Sequence, residues 1–185
     1  VLYMKLLNEK VAIVTGAGSG FGRAISKLYT EEGAKVVVSD ISEATGNETV
    51  QLIQDAGGDA FFVRADVSKP EDCEALVKKT VQKYGRLDIA FNNAGISGEN
   101  APIGEYPIDG WEKVIKINLS SVFYGMRYQI PQMLETGGGV IVNMASILGM
   151  VGFGGSCAYV AAKHGVVGLT KNVAIEYGQK NIRAN

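Results

Sequence analysis

The sequence predicts a doubly wound α/β fold, a parallel sheet with helices on both faces in three layers. Three observations predict it. Apolar runs recur at Val11–Thr15, Lys35–Ser39, Ala60–Arg64, Leu87–Asn92 and Val140–Met144. They are near-continuous rather than alternating, which is how strands covered on both faces read. Helical patterns separate them, and strand–helix alternation calls for parallel strands joined by right-handed crossovers.

The first run passes directly into Gly16-Ala-Gly-Ser-Gly-Phe-Gly22, and a helical pattern follows from Arg23. A buried strand, a tight turn and a helix N-terminus account for that order. Such a turn is a phosphate cradle, because its free backbone N–H groups and the positive end of the helix dipole face one point. Gly16, Gly20 and Gly22 lack Cβ, so the backbone can approach a pyrophosphate closely. The spacing is G-x-x-x-G-x-G rather than the common G-x-G-x-x-G.

Three helical patterns, the one from Arg23 included, precede the middle of the chain. Arg23–Glu32 ends at Gly33, a suitable C-terminal glycine. Ser42–Ala56 starts with a capping serine and stops at Gly57-Gly58. Lys69–Tyr84 opens with Ser68 as N-cap and Pro70 in the first turn, and Gly85 stops it. Asn92–Pro107 reads as a loop, with a long helix from there to about Glu135 on the spacing of Ile115, Leu119, Val122, Met126 and Met133. A second glycine-rich loop spans Gly149 to Gly155. The helix Cys157–Gly178 then carries Ala158, Ala161, Ala162, Gly165 and Gly168. Each interior glycine costs roughly 1 kcal/mol against alanine, so that face is expected to pack closely on the sheet or on a neighbouring subunit. Asn181–Asn185 reads as the first half of another strand, so C-terminal strands are expected to be missing from this sequence.

The 185 residues suffice for one domain, 1–185, with a substantial core. A net charge of −1 gives no nucleic-acid footprint. Two cysteines, Cys73 and Cys157, and one histidine argue against a metal site. Sparse cysteine fits a reducing cytoplasm. No segment has the length and apolarity of a membrane span or a signal peptide, and Met4 is the expected natural start.

Asp40 ends the second strand, 18 residues after Gly22. In a βαβ nucleotide unit an acid here accepts hydrogen bonds from the adenosine ribose hydroxyls. It also repels a 2′-phosphate, by on the order of 4 kcal/mol at ~4 Å and an effective dielectric near 20, less when solvent screens it. That favours NAD over NADP, and no basic residue at Ala17, Ser39 or Ile41 opposes it. The bland alternative is an N-cap for the next helix. Asp66-Val67 follows the third strand, where an aspartate can bond an adenine amino group or make an ordinary turn. Asn92-Asn-Ala-Gly95 follows the fourth, where amides bridge strands or face a cofactor.

Tyr159 and Lys163 are four apart on a helix and share a face. At neutral pH only about one free tyrosine in a thousand is ionised. An ammonium within ~4–5 Å supplies most of the ~2.7 kcal/mol that a base working near pH 8 requires. Ser146 ends the fifth strand at the carboxyl edge, where ligands bind in such sheets. His164 points off the shared face and reads as packing. Cys157 is a candidate pocket wall.

Thr15-Gly-x-x-x-Gly-x-Gly22, Asp66, Asn92-Asn-Ala-Gly95, Asn118, Ser146 and Tyr159-x-x-x-Lys163, in this order, resemble the short-chain dehydrogenase/reductase family over essentially the whole chain. Phe21 departs from the aliphatic residue usual between the last two glycines. The resemblance implies a single Rossmann-type NAD(P)-binding domain that transfers hydride between NAD(H) and a secondary alcohol or ketone. Tyr159 is then the general acid/base, Lys163 holds the nicotinamide ribose, Ser146 positions the substrate oxygen, and Asn118 anchors a water in a proton relay. Gly16, Ser19, Gly20, Phe21, Gly22, Asp40, Ile41, Asp66, Val67, Asn92, Ala94 and Gly95 are the implied cofactor contacts, with Tyr159 and Lys163. A homotetramer built on helices 108–135 and 157–178 is also implied. The alternatives are an NADPH-dependent 3-oxoacyl-thioester reductase, against which Asp40 speaks, and a non-catalytic NAD-binding protein.

Overall fold

The computed structural model describes residues 5–185, so Met4 lies outside the described residues. Six strands form one parallel sheet: β1 (Val11–Thr15), β2 (Lys35–Asp40), β3 (Asp59–Arg64), β4 (Ile89–Asn92), β5 (Gly139–Asn143) and β6 (Ile182–Ala184). The order β3-β2-β1-β4-β5-β6 is that of a Rossmann-type doubly wound sheet. The chain reverses direction of growth between β1 and β4, the point at which ligands bind in such sheets.

Consecutive strand residues go to opposite cores, which explains the continuous apolar runs. Ile13 and Val37 face one cluster with Leu76, Met126, Ile130 and Val166. Ala12, Val14, Val36 and Val38 face the other, with Val50 and Ile53. Helices α1 (Gly20–Glu31) and α2 (Glu43–Asp55) therefore cover one face. Helices α3 (Pro70–Tyr84), α5 (Ser121–Glu135) and α6 (Cys157–Tyr177) cover the other. Among the described residues no helix is long and apolar enough to cross a membrane.

Local sequence accounts for most boundaries. Ser42 caps α2 by accepting from the Thr45 amide at 3.4 Å. Gly85 ends α3 in the left-handed conformation. Two expectations are corrected. The N-cap of α3 is Lys69, not Ser68, whose hydroxyl is drawn 2.7 Å from the Asp66 carboxylate instead. Asp72 closes the turn by accepting from the Asp66 amide at 2.8 Å. The long helix is also not uniform: α4 (Ile108–Ile115) passes through a π turn over Lys116–Ser120 before α5 begins.

The N-terminal edge of the sheet is pinned by Asp88. This residue is 6% exposed, and its carboxylate accepts from the Val11 amide at 2.9 Å and pairs in fork geometry with Arg86 at 2.6 and 2.8 Å. The site lies at the opposite edge.

Candidate active site

The loops that leave β1, β2, β3 and β4 at their carboxyl ends enclose a cleft of about 380 Å³. Its floor is the glycine-rich turn. Gly16 has φ +62° and a Cβ there would lie 2.9 Å from Ala94 Cα, so this position needs glycine on both counts. Gly20 opens α1 at φ +50° with nothing near a Cβ, which leaves the helix N-terminus bare toward the cleft. Ser19 and Phe21 line the cleft beside it, Phe21 being 74% exposed.

Asp40 and Ile41 form the wall at the end of β2. One Asp40 oxygen accepts from the Gly18 amide and the other from the Ser42 amide, both at 2.9 Å. The capping role belongs to Ser42, so Asp40 is not the N-cap of α2. Asp66 and Val67 continue the wall after β3. Asp66 makes the turn, its Oδ1 accepting from the Ser68 amide and hydroxyl. Burial works to raise this carboxyl, but the two bonds from Ser68, with Lys69 and Lys116 nearby, hold it below its ordinary value.

Ala94 and Gly95 complete the cleft after β4. The loop is held by Thr15, whose hydroxyl oxygen accepts from the Asn93 and Ala94 amides at 3.0 and 3.2 Å. Asn93, not singled out from the sequence, lines the cleft and donates to the Thr15 carbonyl. Asn92 is not brought to the cleft. It is buried and exchanges bonds with Gln129 and Asn143, so of its two sequence readings the strand-bridging one is observed. Gly22 also lies behind the cleft, where a Cβ would run into the Gly16 carbonyl, and its smallness lets α1 close on the strand end.

Asn118 sits in the π turn and is 1% exposed. Its Oδ1 accepts from the Ile96 amide at 2.8 Å and its Nδ2 donates to the Ile96 carbonyl at 2.7 Å. The amide thus copies a strand partner for the loop that follows β4. The wider turn is what frees this one side chain from the helix face; π turns recur at functional sites for such reasons.

Lys163 is 3% exposed, and burial pushes its ammonium below the ordinary lysine value. Its Nζ donates to the Met144 carbonyl at 2.6 Å, two residues before Ser146, and lies 5.4 Å from the centre of the Tyr159 ring. Ser146 starts a single 3₁₀ turn by accepting from the Leu148 amide. Tyr159 packs with Ile96 and Leu119 against Val114, Ala158 and Ala162, beside the Asn118 loop. Buried lysine, half-buried tyrosine and strand-end serine are therefore gathered at the sheet edge that carries the cleft.

Two further side chains take no part in lining the cleft. His164 is exposed and bonds the Val160 carbonyl, which corrects its reading as a packed residue. Cys73, buried behind the cleft, is pushed up to about 12 by burial and by Asp72, Asp66 and Glu71, so it stays a thiol.

The family model described as short chain dehydrogenase matches residues 10–185. The chain is 49% identical over 178 residues to a cyclohexanol dehydrogenase of Acinetobacter sp. (strain SE19), covering 96% of this chain and 71% of that one. It superposes on the crystal structure of levodione reductase with TM-score 0.94 and 40% identity, over 97% of this chain and 70% of that one. It superposes on 7α-hydroxysteroid dehydrogenase complexed with NADH and 7-oxo glycochenodeoxycholic acid with TM-score 0.91 and 36% identity, over 96% of this chain and 69% of that one. These relatives are alcohol and ketone oxidoreductases, the two solved structures share the architecture described above, and the chain belongs to the short-chain dehydrogenase family.

Proposed function

We propose that this protein is an NAD-dependent dehydrogenase that interconverts a secondary alcohol and its ketone, with Tyr159 as the general acid/base. The observation that carries the reading is the Lys163 ammonium, buried, anchored on the Met144 carbonyl and 5.4 Å from the Tyr159 ring centre. A lysine is kept dry at a cost, and a neighbouring phenol that must carry negative charge is the return on it.

A dinucleotide fits the cleft on this chain's own features. The Gly16 and Gly20 positions form a cradle that a Cβ would fill or strain. Asp40 keeps lone pairs beyond the two amides it accepts, enough for a ribose diol. The bound nicotinamide supplies hydride acceptance and donation. In the oxidising direction Tyr159 takes the hydroxyl proton, and Lys163 stabilises the phenolate through charge. Ser146 orients the substrate oxygen with its hydroxyl. Asn118 fixes the Gly95–Ile96 loop, and a water held there would pass the proton on.

The same reading extends to the substrate and assembly. A cyclohexanol dehydrogenase among the relatives supports a ring alcohol, and Ile147, Met150 and Phe153 offer exposed apolar surface just after Ser146. Ile108, Phe123 and Ile175 leave apolar surface on the two long helical segments, which supports a homotetramer, and two free cysteines fit a reducing cytoplasm. Light scattering tests the assembly.

The reading is tested by titrating the protein with NADH and NADPH by fluorescence and assaying cyclohexanol with NAD. NADH binding preferred over NADPH, with turnover lost in Tyr159→Phe while NADH binding stays, is the expected result. Undiminished turnover in Tyr159→Phe overturns the mechanism.

A further inference from the structure

We propose that Arg23 is a positioning residue for cofactor selectivity, acting through Thr49 and the Ala17–Gly18 peptide to fix the Asp40 carboxylate toward a ribose diol. The inference rests on the NAD reading above and goes one layer behind it.

A chain of hydrogen bonds runs from the guanidinium to the carboxylate. Arg23 Nε donates to Thr49 Oγ1 at 3.0 Å. Thr49 Oγ1 donates to the Ala17 carbonyl at 2.9 Å, the nearer of two acceptors, the Thr45 carbonyl being at 3.1 Å. The amide at the other end of that same peptide, Gly18 N–H, donates to Asp40 Oδ2 at 2.9 Å. Each donor polarises the next, so a cationic start strengthens the last bond, the one made to Asp40. A second arm reinforces it: Arg23 Nη2 donates to the Gly18 carbonyl at 2.6 Å, so both backbone groups of Gly18 are held.

Two more features fit this role. Gly18 is not one of the three spaced glycines of the turn, yet a Cβ there would run into Thr45 Oγ1 and lie 2.9 Å from Asp40 Oδ2. Glycine at 18 is what lets the carboxylate dock on the amide. Arg23 is also held away from the role of phosphate ligand, because its Nη2 meets Glu48 Oε2 at 2.6 Å with the Arg23 side chain only 26% exposed. A guanidinium so close to an adenosine site would otherwise favour a 2′-phosphate.

The test measures NADH and NADPH dissociation constants for the parent, Arg23→Met, Thr49→Val, Asp40→Ala and the double variant Arg23→Met/Asp40→Ala. Thermal melts without cofactor check folding, and Thr49→Val breaks the same chain with less disturbance. The expected result is that Arg23→Met and Thr49→Val each weaken NADH about fivefold and NADPH by less than about twofold, so the preference narrows. In the Asp40→Ala background Arg23→Met should change the ratio by less than about twofold, because its route of action is gone. A parent that binds both cofactors alike overturns the NAD reading and this inference together. A parent that prefers NADH, with equal losses for both cofactors or an unchanged ratio in the two chain variants, overturns the inference alone. So does an Arg23→Met effect on the ratio that persists undiminished without Asp40.

Discussion

Replacing Lys163 with methionine should cost activity heavily and stability little. The residue is 3% exposed, and burial holds its ammonium below the ordinary value of 10.5. Each tenfold weakening of proton binding is about 1.4 kcal/mol of native-state penalty, which the variant is spared. Against this, the variant loses a charge-assisted bond to the Met144 carbonyl, worth about 1.5–3 kcal/mol. Methionine keeps nearly all of the buried stem volume, so packing changes little. The spared penalty and the lost bond oppose each other, and the net change should stay within about 1.5 kcal/mol, a few degrees in Tm. Activity has no such offset. At about 5 Å and an effective dielectric near 20, an ammonium favours a phenolate by on the order of 3 kcal/mol. Its loss should lower kcat about 100-fold or more.

The pH dependence of stability carries the sign of the burial argument. Below the lowered native value Lys163 is charged in both states and the parent bears the full penalty. Between that value and 10.5 the unfolded chain still binds the proton and the native one has released it. Parent stability therefore rises with pH across this window, relative to Lys163→Met. Urea titrations from pH 7 to 10.5, with kcat measured in parallel, read both effects. A variant destabilised by more than about 3 kcal/mol, a stability gap that ignores pH, or activity kept within about threefold would refute the reasoning.

Three other outcomes follow from single contacts. Asn118→Asp keeps the acceptor for the Ile96 amide but has no donor for the Ile96 carbonyl; kcat should fall about tenfold or more, and amide exchange in residues 94–98 should rise. Asp88→Asn unpairs Arg86 at the far edge of the sheet; it should cost about 2 kcal/mol in urea unfolding and leave NADH affinity unchanged. Gly46→Ala drives a Cβ into the Phe62 ring and should cost about 1–3 kcal/mol by thermal melt, with Gly→Ala at the open Gly57 as the contrast for a positive-φ site.

Strands β1, β2 and β4 are legible in the sequence because each is buried on both faces, so apolar continuity alone marks them. The glycine turn and Asp40 are legible because they abut a strand end, where position fixes which way a group faces. What the sequence hides depends on partners far away along the chain. Asn92 and Asn93 look alike in the chain; one still belongs to β4 and points to Gln129, and the other has left it and turns to Thr15. No local pattern says where that strand stops. Ser68 reads as a cap because serine usually is one, but the Asp66 carboxylate two residues back competes for its hydroxyl and wins. The π turn leaves no mark in the spacing of apolar residues on either side of it. The clamp around Gly18 needs α1 and α2 side by side, and only the fold supplies that.

The polar residues at the carboxyl edge serve the site by first serving the backbone. Thr15 holds the loop after β4, Asn118 holds its continuation, Lys163 ties α6 to the end of β5, and Thr49 ties α2 to the glycine turn. Each crosses at least 19 residues of sequence to reach a main-chain group. Main-chain groups after a strand have no ladder partner, so they must be satisfied by side chains or water. A side chain that does so is fixed in direction, and its remaining polar capacity is then aimed at the cleft without further ordering. The arrangement makes orientation at the site a by-product of closing the loops. It follows that substitutions there should loosen the neighbouring loop and weaken binding together, whereas changes at Asp88, which closes the opposite edge, should touch stability alone.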